Sequence, residues 1–221
     1  MADQALKQYK PFTKAEMAAL VASDIPEGWH VNLGIGLPTL VADHLPRDRE
    51  IILHSENGIL GMGPVSSRGN ADPWIVNAGK QNVSLMPGAS LFHHADSFAM
   101  IRGGHIDLCI LGAFEIADNG DLANWTTSSD DRTPAVGGAM DLAAGAKNVW
   151  VMTAHVTKDG APKLVGECQY PLTAKAAVTR IYSDLAVIDI TERGFVVRTM
   201  VAGMSPQQLQ DITGAPLHFP R

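Results

Sequence analysis

A glutamate in a glycine-rich segment is the residue best placed to do chemistry. Glu56 follows the apolar run 50–54, within the segment Ser55-Glu56-Asn57-Gly58-Ile59-Leu60-Gly61-Met62-Gly63-Pro64. Its glycines and proline predict a turn and not the interior of an element. A carboxylate at the carboxyl end of a strand lies where open α/β sheets bind ligands. Glu56 is therefore a candidate catalytic residue; the alternative is that it only caps a helix.

Other candidate residues lie in shorter turns. The run Gly34-Ile35-Gly36-Leu37-Pro38 lacks the third glycine of a dinucleotide-binding turn, so nicotinamide binding is not expected. A helix beginning there would still offer free N–H groups to an anion, or the turn carries no ligand. Lys80 is a ligand contact or an ordinary surface lysine. His93 and His94 are adjacent in a sequence without a second ligand cluster, so no metal site is predicted.

Alternating strands and helices must position these residues. Thr13 and Glu16 have the spacing of a capping box for a helix over 14–22, and Pro38 suits the first turn of a helix that reaches Leu45. Further helices are predicted over 97–101, 140–146 and 206–212, and short apolar strands over 29–33, 50–54, 108–111, 149–152 and 185–190. The pattern indicates a layered α/β fold with a largely parallel sheet flanked by helices.

Composition sets the remaining expectations. The 221 residues suit a single domain over 1–221 with flexible ends at about 1–12 and 214–221. A net charge of −6 argues against nucleic-acid and membrane-surface partners. Cys109 and Cys168 do not have a disulfide or metal-ligand spacing. Because no apolar stretch resembles a signal peptide or a membrane span, we expect a cytoplasmic protein.

The segment around Glu56 resembles the signature of the β subunit of family I CoA-transferases. The similarity extends along nearly the whole chain. It includes the motifs Asn32-Leu33-Gly34-Ile35-Gly36-Leu37-Pro38, Asn77-Ala78-Gly79-Lys80, Ala95-Asp96-Ser97-Phe98, Gly103-Gly104-His105-Ile106-Asp107, Gly120-Asp121-Leu122-Ala123-Asn124-Trp125 and Gly137-Gly138-Ala139-Met140-Asp141.

This resemblance implies a catalytic cycle and its residues. Glu56 would attack an acyl-CoA thioester and then carry CoA as a glutamyl thioester, in a ping-pong mechanism. Gly137 and Gly138 match a glycine pair whose backbone N–H groups would stabilise the oxyanion. Coenzyme A is implied as a substrate thioester, with no tightly bound cofactor. The residues expected to contact coenzyme A are Asn32, Gly34, Gly36, Asn57 and Lys80.

The resemblance also implies substrates and a partner. The donor would be succinyl-CoA and the acceptor a 3-oxo acid. The segments Leu91-Phe92-His93-His94, Pro134-Ala135-Val136 and Lys163-Leu164-Val165-Gly166-Glu167-Cys168 favour 3-oxoadipate, with acetoacetate as the alternative. A separate α subunit would complete the active site in an α2β2 assembly. Two other functions stay open from the residues: a sugar-phosphate isomerase or deaminase with a carboxylate base, and a non-catalytic ligand-sensing subunit.

Overall fold

The computed structural model describes residues 9–66, 72–127 and 135–220. Four α-helices, one 3-10 helix and thirteen strands occur in these ranges, in the following chain order. They are α1 (Lys14–Asp24), β1 (His30–Leu33), the 3-10 helix (Leu37–His44), β2 (Ile52–Ser55), β3 (Ile59–Val65), β4 (Val83–Leu91), α2 (His94–Arg102), β5 (Leu108–Leu111), β6 (Glu115–Ala117), β7 (Leu122–Ala123), α3 (Ala139–Gly145), β8 (Asn148–Thr153), β9 (Leu164–Val165), β10 (Val178–Ser183), β11 (Ala186–Thr191), β12 (Gly194–Met200), α4 (Pro206–Asp211) and β13 (Leu217–His218). Within the described ranges, no helix has the length and apolar character of a membrane span.

The chain divides into two compact units. The N-terminal unit comprises Ala18–Leu111 and Gly138–Val149; the C-terminal unit comprises Met1–Met17, Gly112–Gly137 and Trp150–Arg221. The single domain expected from chain length stays a prediction.

Parallel strands form the centre of the N-terminal unit. Strand β1 pairs in parallel with β2 on one side and with β5 on the other. All four residues of β5 are buried, as are the last three of β1 and of β2. Burial on both faces explains why these strands are short continuous apolar runs in the sequence. The predicted α/β class and the parallel pairing at this centre are confirmed.

An antiparallel hairpin extends the sheet where a turn was predicted. The turn after Glu56 is short, and residues 59–65 form β3, which pairs with β2 and β4. The prediction of a turn through Pro64 was therefore wrong. The β3–β4 pairing is irregular near Leu60, Met62 and Val65, and a side chain at Gly61 would meet the backbone of Ala89. Glycine in this strand thus permits close approach at a bulge.

The predicted helices are confirmed, with small shifts at their ends. Thr13 N–H donates to Glu16 Oε2 (2.7 Å) and Glu16 N–H to Thr13 Oγ1 (3.2 Å), which is the expected capping box. The helix after Pro38 is a 3-10 helix, and its first turn is closed by Thr39, whose N–H and hydroxyl both donate to Gly36 O. Glycine at position 145 lets α3 approach the backbone of Ile101 in α2.

The C-terminal unit is built mainly from antiparallel strands. In the larger sheet of the fold, its strands follow the order β13-β12-β11-β10-β8, in which β10, β11 and β12 run antiparallel and β12 and β13 run parallel. A smaller sheet has the order β7-β6-β9. The predicted strand at 185–190 is present as β11, but both of its neighbours are antiparallel.

Residues near the C-terminus form defined contacts with the rest of the C-terminal unit. Strand β13 pairs Leu217 with Phe195, Gly214 N–H donates to Leu164 O (2.8 Å), and Leu217 N–H donates to Gln210 Oε1 (2.8 Å). Flexibility of the chain ends at about 1–12 and 214–221 stays a prediction. The proline-containing composition concealed a buried Leu217 that completes the sheet.

Candidate active site

Glu56 lies in the turn that immediately follows β2, at the carboxyl end of this parallel strand. Gly58 closes the turn: its N–H donates to Ser55 O (2.9 Å) and its carbonyl accepts from Phe92 N–H (3.0 Å). Its φ of 113° and the adjacent Phe92 carbonyl leave no room for a side chain. This glycine is therefore needed to bring Glu56 to the strand end.

The Glu56 carboxylate faces a glycine and an aromatic ring. A Cβ atom placed on Gly138 would lie 3.1 Å from Glu56 Oε2 and 3.1 Å from Phe98 Cζ. Gly138 directly precedes α3, while Phe98 belongs to α2. The missing side chain at Gly138 thus permits the close approach of this backbone to the Glu56 carboxylate.

Burial shapes the electrostatics of the glutamate. Glu56 is half-buried, and loss of solvent raises the pKa of its carboxyl group, while His94 in the first turn of α2 opposes that shift. None of the residues that the structure describes forms a hydrogen bond to this carboxylate. The lone pairs of a carboxylate are the electrons with which it attacks an electrophile.

A row of buried polar side chains lies across the strands next to Glu56. Asn32 pairs with His54 on one side and with Cys109 on the other, and all three residues are almost fully buried. Asn32 Nδ2 is 3.1 Å from His54 Nδ1, and His54 Nε2 is 2.9 Å from Ser97 Oγ. Burial, followed by the effect of His30, lowers the pKa of His54 to about 4. Burial and Glu56 raise the pKa of Cys109, so its thiol stays protonated.

A second turn lies against the end of β2. Asn57 Nδ2 donates to Val76 O (2.7 Å), and Ala78 N–H donates to Ser55 Oγ (3.1 Å). Lys80 is exposed, has a φ of 63°, and donates its N–H to Asn77 O (2.9 Å). A left-handed conformation in a residue other than glycine is uncommon and often accompanies a functional site. The pocket beside this turn is lined by Leu33, Thr39, Ala42, His54, Ser55, Met62, Gly63, Val65, Asn77, Ala78, Gly79, Gln81 and Val83.

The two glycines after β1 have different roles. Gly34 donates its N–H to Ile110 O (2.8 Å), and a Cβ on Gly34 would lie 2.8 Å from the same oxygen. Close packing against β5 is therefore a sufficient reason for Gly34. Gly36 is exposed with a φ of 93° at the start of the 3-10 helix, and a Cβ there would meet nothing within 4 Å. Gly36 is required by backbone conformation.

The structure brings some predicted residues together and leaves others apart. Glu56 and Gly138 are adjacent, and Asn32 is connected to the strand before Glu56 through His54. Gly137 is exposed with a φ of 58°. Pro134, the first residue of the motif Pro134-Ala135-Val136, lies outside the described residues.

Four residues of this region had no role predicted from the sequence: His54, His94, Ser97 and Phe98. Ser97 and Phe98 are within a motif that carried the resemblance, and that motif was the available signal. His93 was considered in the sequence only as a metal ligand; its Nδ1 accepts from Ala95 N–H (3.1 Å) and caps α2.

Comparison with known proteins identifies the family of the chain. A family model described as coenzyme A transferase matches residues 14–211. The chain is 56% identical to the B subunit of 3-oxoadipate CoA-transferase from Acinetobacter baylyi, over 95% of this chain and 96% of the relative. It is 46% identical to the B subunit of succinyl-CoA:3-ketoacid coenzyme A transferase from Helicobacter pylori, over 88% and 93% of the two chains.

Solved structures show the same fold at low sequence identity. An acyl-CoA transferase from Escherichia coli O157:H7 superposes with a TM-score of 0.72 at 18% identity, over 95% of this chain and 42% of that one. Glutaconate coenzyme A-transferase from Acidaminococcus fermentans gives 0.67 at 17%, over 95% and 87%. The family match over most of the chain and the high identity to the first relatives lead to one conclusion: this chain belongs to the coenzyme A transferase family and is a β subunit within it.

Proposed function

We propose that this chain is the subunit that supplies the catalytic glutamate of a CoA-transferase, and that Glu56 carries CoA between two acids. The observation that carries the proposal is the half-buried Glu56 carboxylate, which lies against the space left by Gly138. A carboxylate is ionised near neutral pH and needs no partner base to act as a nucleophile.

The proposed reaction has four steps. A Glu56 oxygen attacks the thioester carbonyl, the C–S bond breaks, and an acyl-glutamyl anhydride and CoA thiolate form. The thiolate attacks the glutamyl carbonyl and releases the donor acid, which leaves a Glu56–CoA thioester. The acceptor carboxylate attacks that thioester and regenerates an anhydride and thiolate. The thiolate then attacks the new acyl carbon, so that the product acyl-CoA leaves and the Glu56 carboxylate returns.

Burial supports this role for Glu56. A carboxylate stripped of part of its solvation shell is a stronger nucleophile, and the raised pKa reports that loss of solvation. Gly138 lies close to the Glu56 carboxylate, and backbone N–H groups of Gly137 and Gly138 are the proposed donors to the oxyanion formed from the thioester carbonyl. The proposed contacts with coenzyme A are Asn32, Gly34, Gly36, Asn57 and Lys80.

Relatives support the choice of substrates and partner. We propose succinyl-CoA as donor and 3-oxoadipate as acceptor, in line with the name of the Acinetobacter relative, with acetoacetate as the second candidate acceptor. Both relatives are named as one of two subunits, so we propose that an α subunit completes the site, in an α2β2 assembly. Size-exclusion chromatography of co-expressed subunits tests the assembly, and activity of this chain alone would contradict it.

Trapping the covalent intermediate tests the chemistry. The complex is incubated with succinyl-CoA, reduced with borohydride and digested, and the peptide containing Glu56 is analysed by mass spectrometry. We expect reduction of the thioester to convert the Glu56 carboxyl group to an alcohol in the parent protein, whereas Glu56→Gln should be unmodified and inactive. Transfer activity in Glu56→Gln, or inactivation by borohydride without modification of Glu56, would overturn the proposal. A complete absence of the adduct would fit isomerase or deaminase chemistry, in which the carboxylate acts only as a base.

A further inference from the structure

The buried row formed by Cys109, Asn32, His54 and Ser97 has an unusual location. Three of its members lie on parallel strands whose neighbouring residues, such as Val31, are buried and apolar. Buried polar groups cost stability unless they are paired, and the members of this row are partners of one another. The hydrogen bonds of the row link two strands of the sheet to α2.

The hydrogen bonds of the row have a definite direction. Asn32 Nδ2 faces two acceptors, His54 Nδ1 at 3.1 Å and His54 O at 3.4 Å, so the amide donates and Nδ1 accepts. The ring proton of a neutral imidazole is then on Nε2, which donates to Ser97 Oγ at 2.9 Å. Burial keeps the ring neutral, because it lowers the pKa of His54 to about 4. His54 thus connects β1 to α2 without introducing a charge.

The two partners of the His54–Ser97 hydrogen bond are close in sequence to the two residues that lie against Gly138. His54 lies two residues before Glu56, at the end of β2, and Ser97 directly precedes Phe98. The ring of Phe98 and the carboxylate of Glu56 flank the same space at Gly138. The His54–Ser97 hydrogen bond therefore fixes the strand that bears Glu56 against the helix that bears Phe98.

We propose that His54 and Ser97 are positioning residues that hold the Glu56 carboxylate in line with the space at Gly138. The inference rests on the proposed function, since it assumes that Glu56 is the nucleophile. Misplacing a reacting group by about 1 Å costs up to ~10²-fold in rate even when the substrate still binds. Loss of the connection should consequently lower kcat and leave KM nearly unchanged.

Three variants of the pair test the proposal in the complex with the α subunit. His54→Asn keeps an acceptor for Asn32 but does not reach Ser97, Ser97→Ala removes the same bond from the other side, and His54→Gln keeps an N–H group that reaches Ser97. We expect His54→Asn and Ser97→Ala each to lower kcat about 10-fold or more, with KM within about twofold. The double variant should be no worse than the poorer single variant, and His54→Gln should recover most of the loss.

His155 provides a matched control in the C-terminal unit. It is also fully buried, and its ring nitrogens lie 3.0 Å from Ser183 Oγ and 2.9 Å from Thr213 Oγ1. His155→Asn should lower the melting temperature and leave the kcat of the folded complex unchanged. An equal loss of kcat in His155→Asn would overturn the proposal, because the effect would then be general.

The Glu56→Gln variant distinguishes a failure of the positioning role from a failure of the proposed function. Wild-type kcat in folded His54→Asn and Ser97→Ala, with Glu56→Gln inactive, would overturn the positioning role alone. Activity in Glu56→Gln would overturn the proposed function. If His54→Asn does not fold, Ser97→Ala decides the question, since it removes only one buried oxygen.

Discussion

Two buried histidines, one in each compact unit, have similar surroundings. Burial lowers the pKa of both His54 and His155 to about 4, and each ring has a polar partner at both nitrogens. The ionisable groups nearby differ. Next to His155, the Asp184 carboxylate accepts from the His155 backbone N–H (2.7 Å). Two residues after His54, the Glu56 carboxylate accepts nothing from any residue in the described ranges.

This difference distinguishes a structural polar cluster from a reactive one. In the C-terminal unit, Lys163 Nζ donates to Ala113 O and Thr153 Oγ1, and Asp189 pairs with Arg180 and Arg198. Satisfied groups of this kind stabilise a fold and have little remaining reactivity. An ionisable group that burial has desolvated, with a space beside it, is a candidate for chemistry. Buried polar residues alone do not mark the site.

Shortening a glutamate in each unit should give the largest contrast. Glu56→Asp withdraws the carboxylate by about 1.5 Å, so we expect kcat to fall ~10²-fold or more. Glu115 is the control, because its Oε2 accepts from the backbone N–H groups of Gln169 (2.7 Å) and Tyr170 (3.2 Å). Glu115→Asp should lower the melting temperature slightly and leave kcat unchanged. Steady-state kinetics of both complexes make the comparison, and equal losses would remove the distinction between the two carboxylates.

Adding one methyl group in each unit should give a smaller contrast. A Cβ at Gly138 would lie 3.1 Å from Phe98 Cζ, inside the normal separation of about 3.5–4.0 Å between carbon atoms. Because this methyl group would occupy the space beside Glu56, we expect Gly138→Ala to lower kcat about 10-fold or more with a smaller effect on KM. Gly166→Ala is the control, since a Cβ there would meet nothing within 4 Å. A change in KM alone in Gly138→Ala would assign Gly138 to substrate binding.

The sequence predicted the central strands and helices because their signals are local. Apolar runs such as 108–111 and the capping box at Thr13 depend on neighbours within a few residues. Strand β3 was missed because its glycines, which predict a turn locally, are used at bulges against β4. Strand β13 was missed because two residues show no period, and its pairing with Phe195 is a tertiary contact.

The same limit applies to the site. Glu56 could be selected as a candidate from the sequence because it lies in a specific motif at a strand end. The contact between Gly138 and Glu56 followed only from the resemblance, since 82 positions of sequence separate the two residues. The His54–Ser97 bond joins a strand to a helix through tertiary packing. No local pattern marks either residue as a partner of the other.

The smallest expected contrast is in stability, and its sign differs between the units. Burial raises the pKa of Glu56, so the folded state favours the protonated carboxyl group more than the unfolded state does. Stability is consequently lost as pH rises from about 4.3, the ordinary value for glutamate, through the raised value in the folded protein.

Glu56→Gln is neutral at every pH, so its complex should melt higher than the parent at pH 7, by about 2–4 °C for each ~1 kcal/mol relieved. The gap should close below about pH 4, as Glu56 becomes protonated in both states. Asp189→Asn should instead melt lower at pH 7, because it removes the carboxylate that pairs with Arg180 and Arg198. Thermal denaturation of the three complexes across this pH range measures both signs. A lower melting temperature for Glu56→Gln at pH 7 would show that the Glu56 carboxylate has a stabilising partner, which would place it with the satisfied groups of the C-terminal unit.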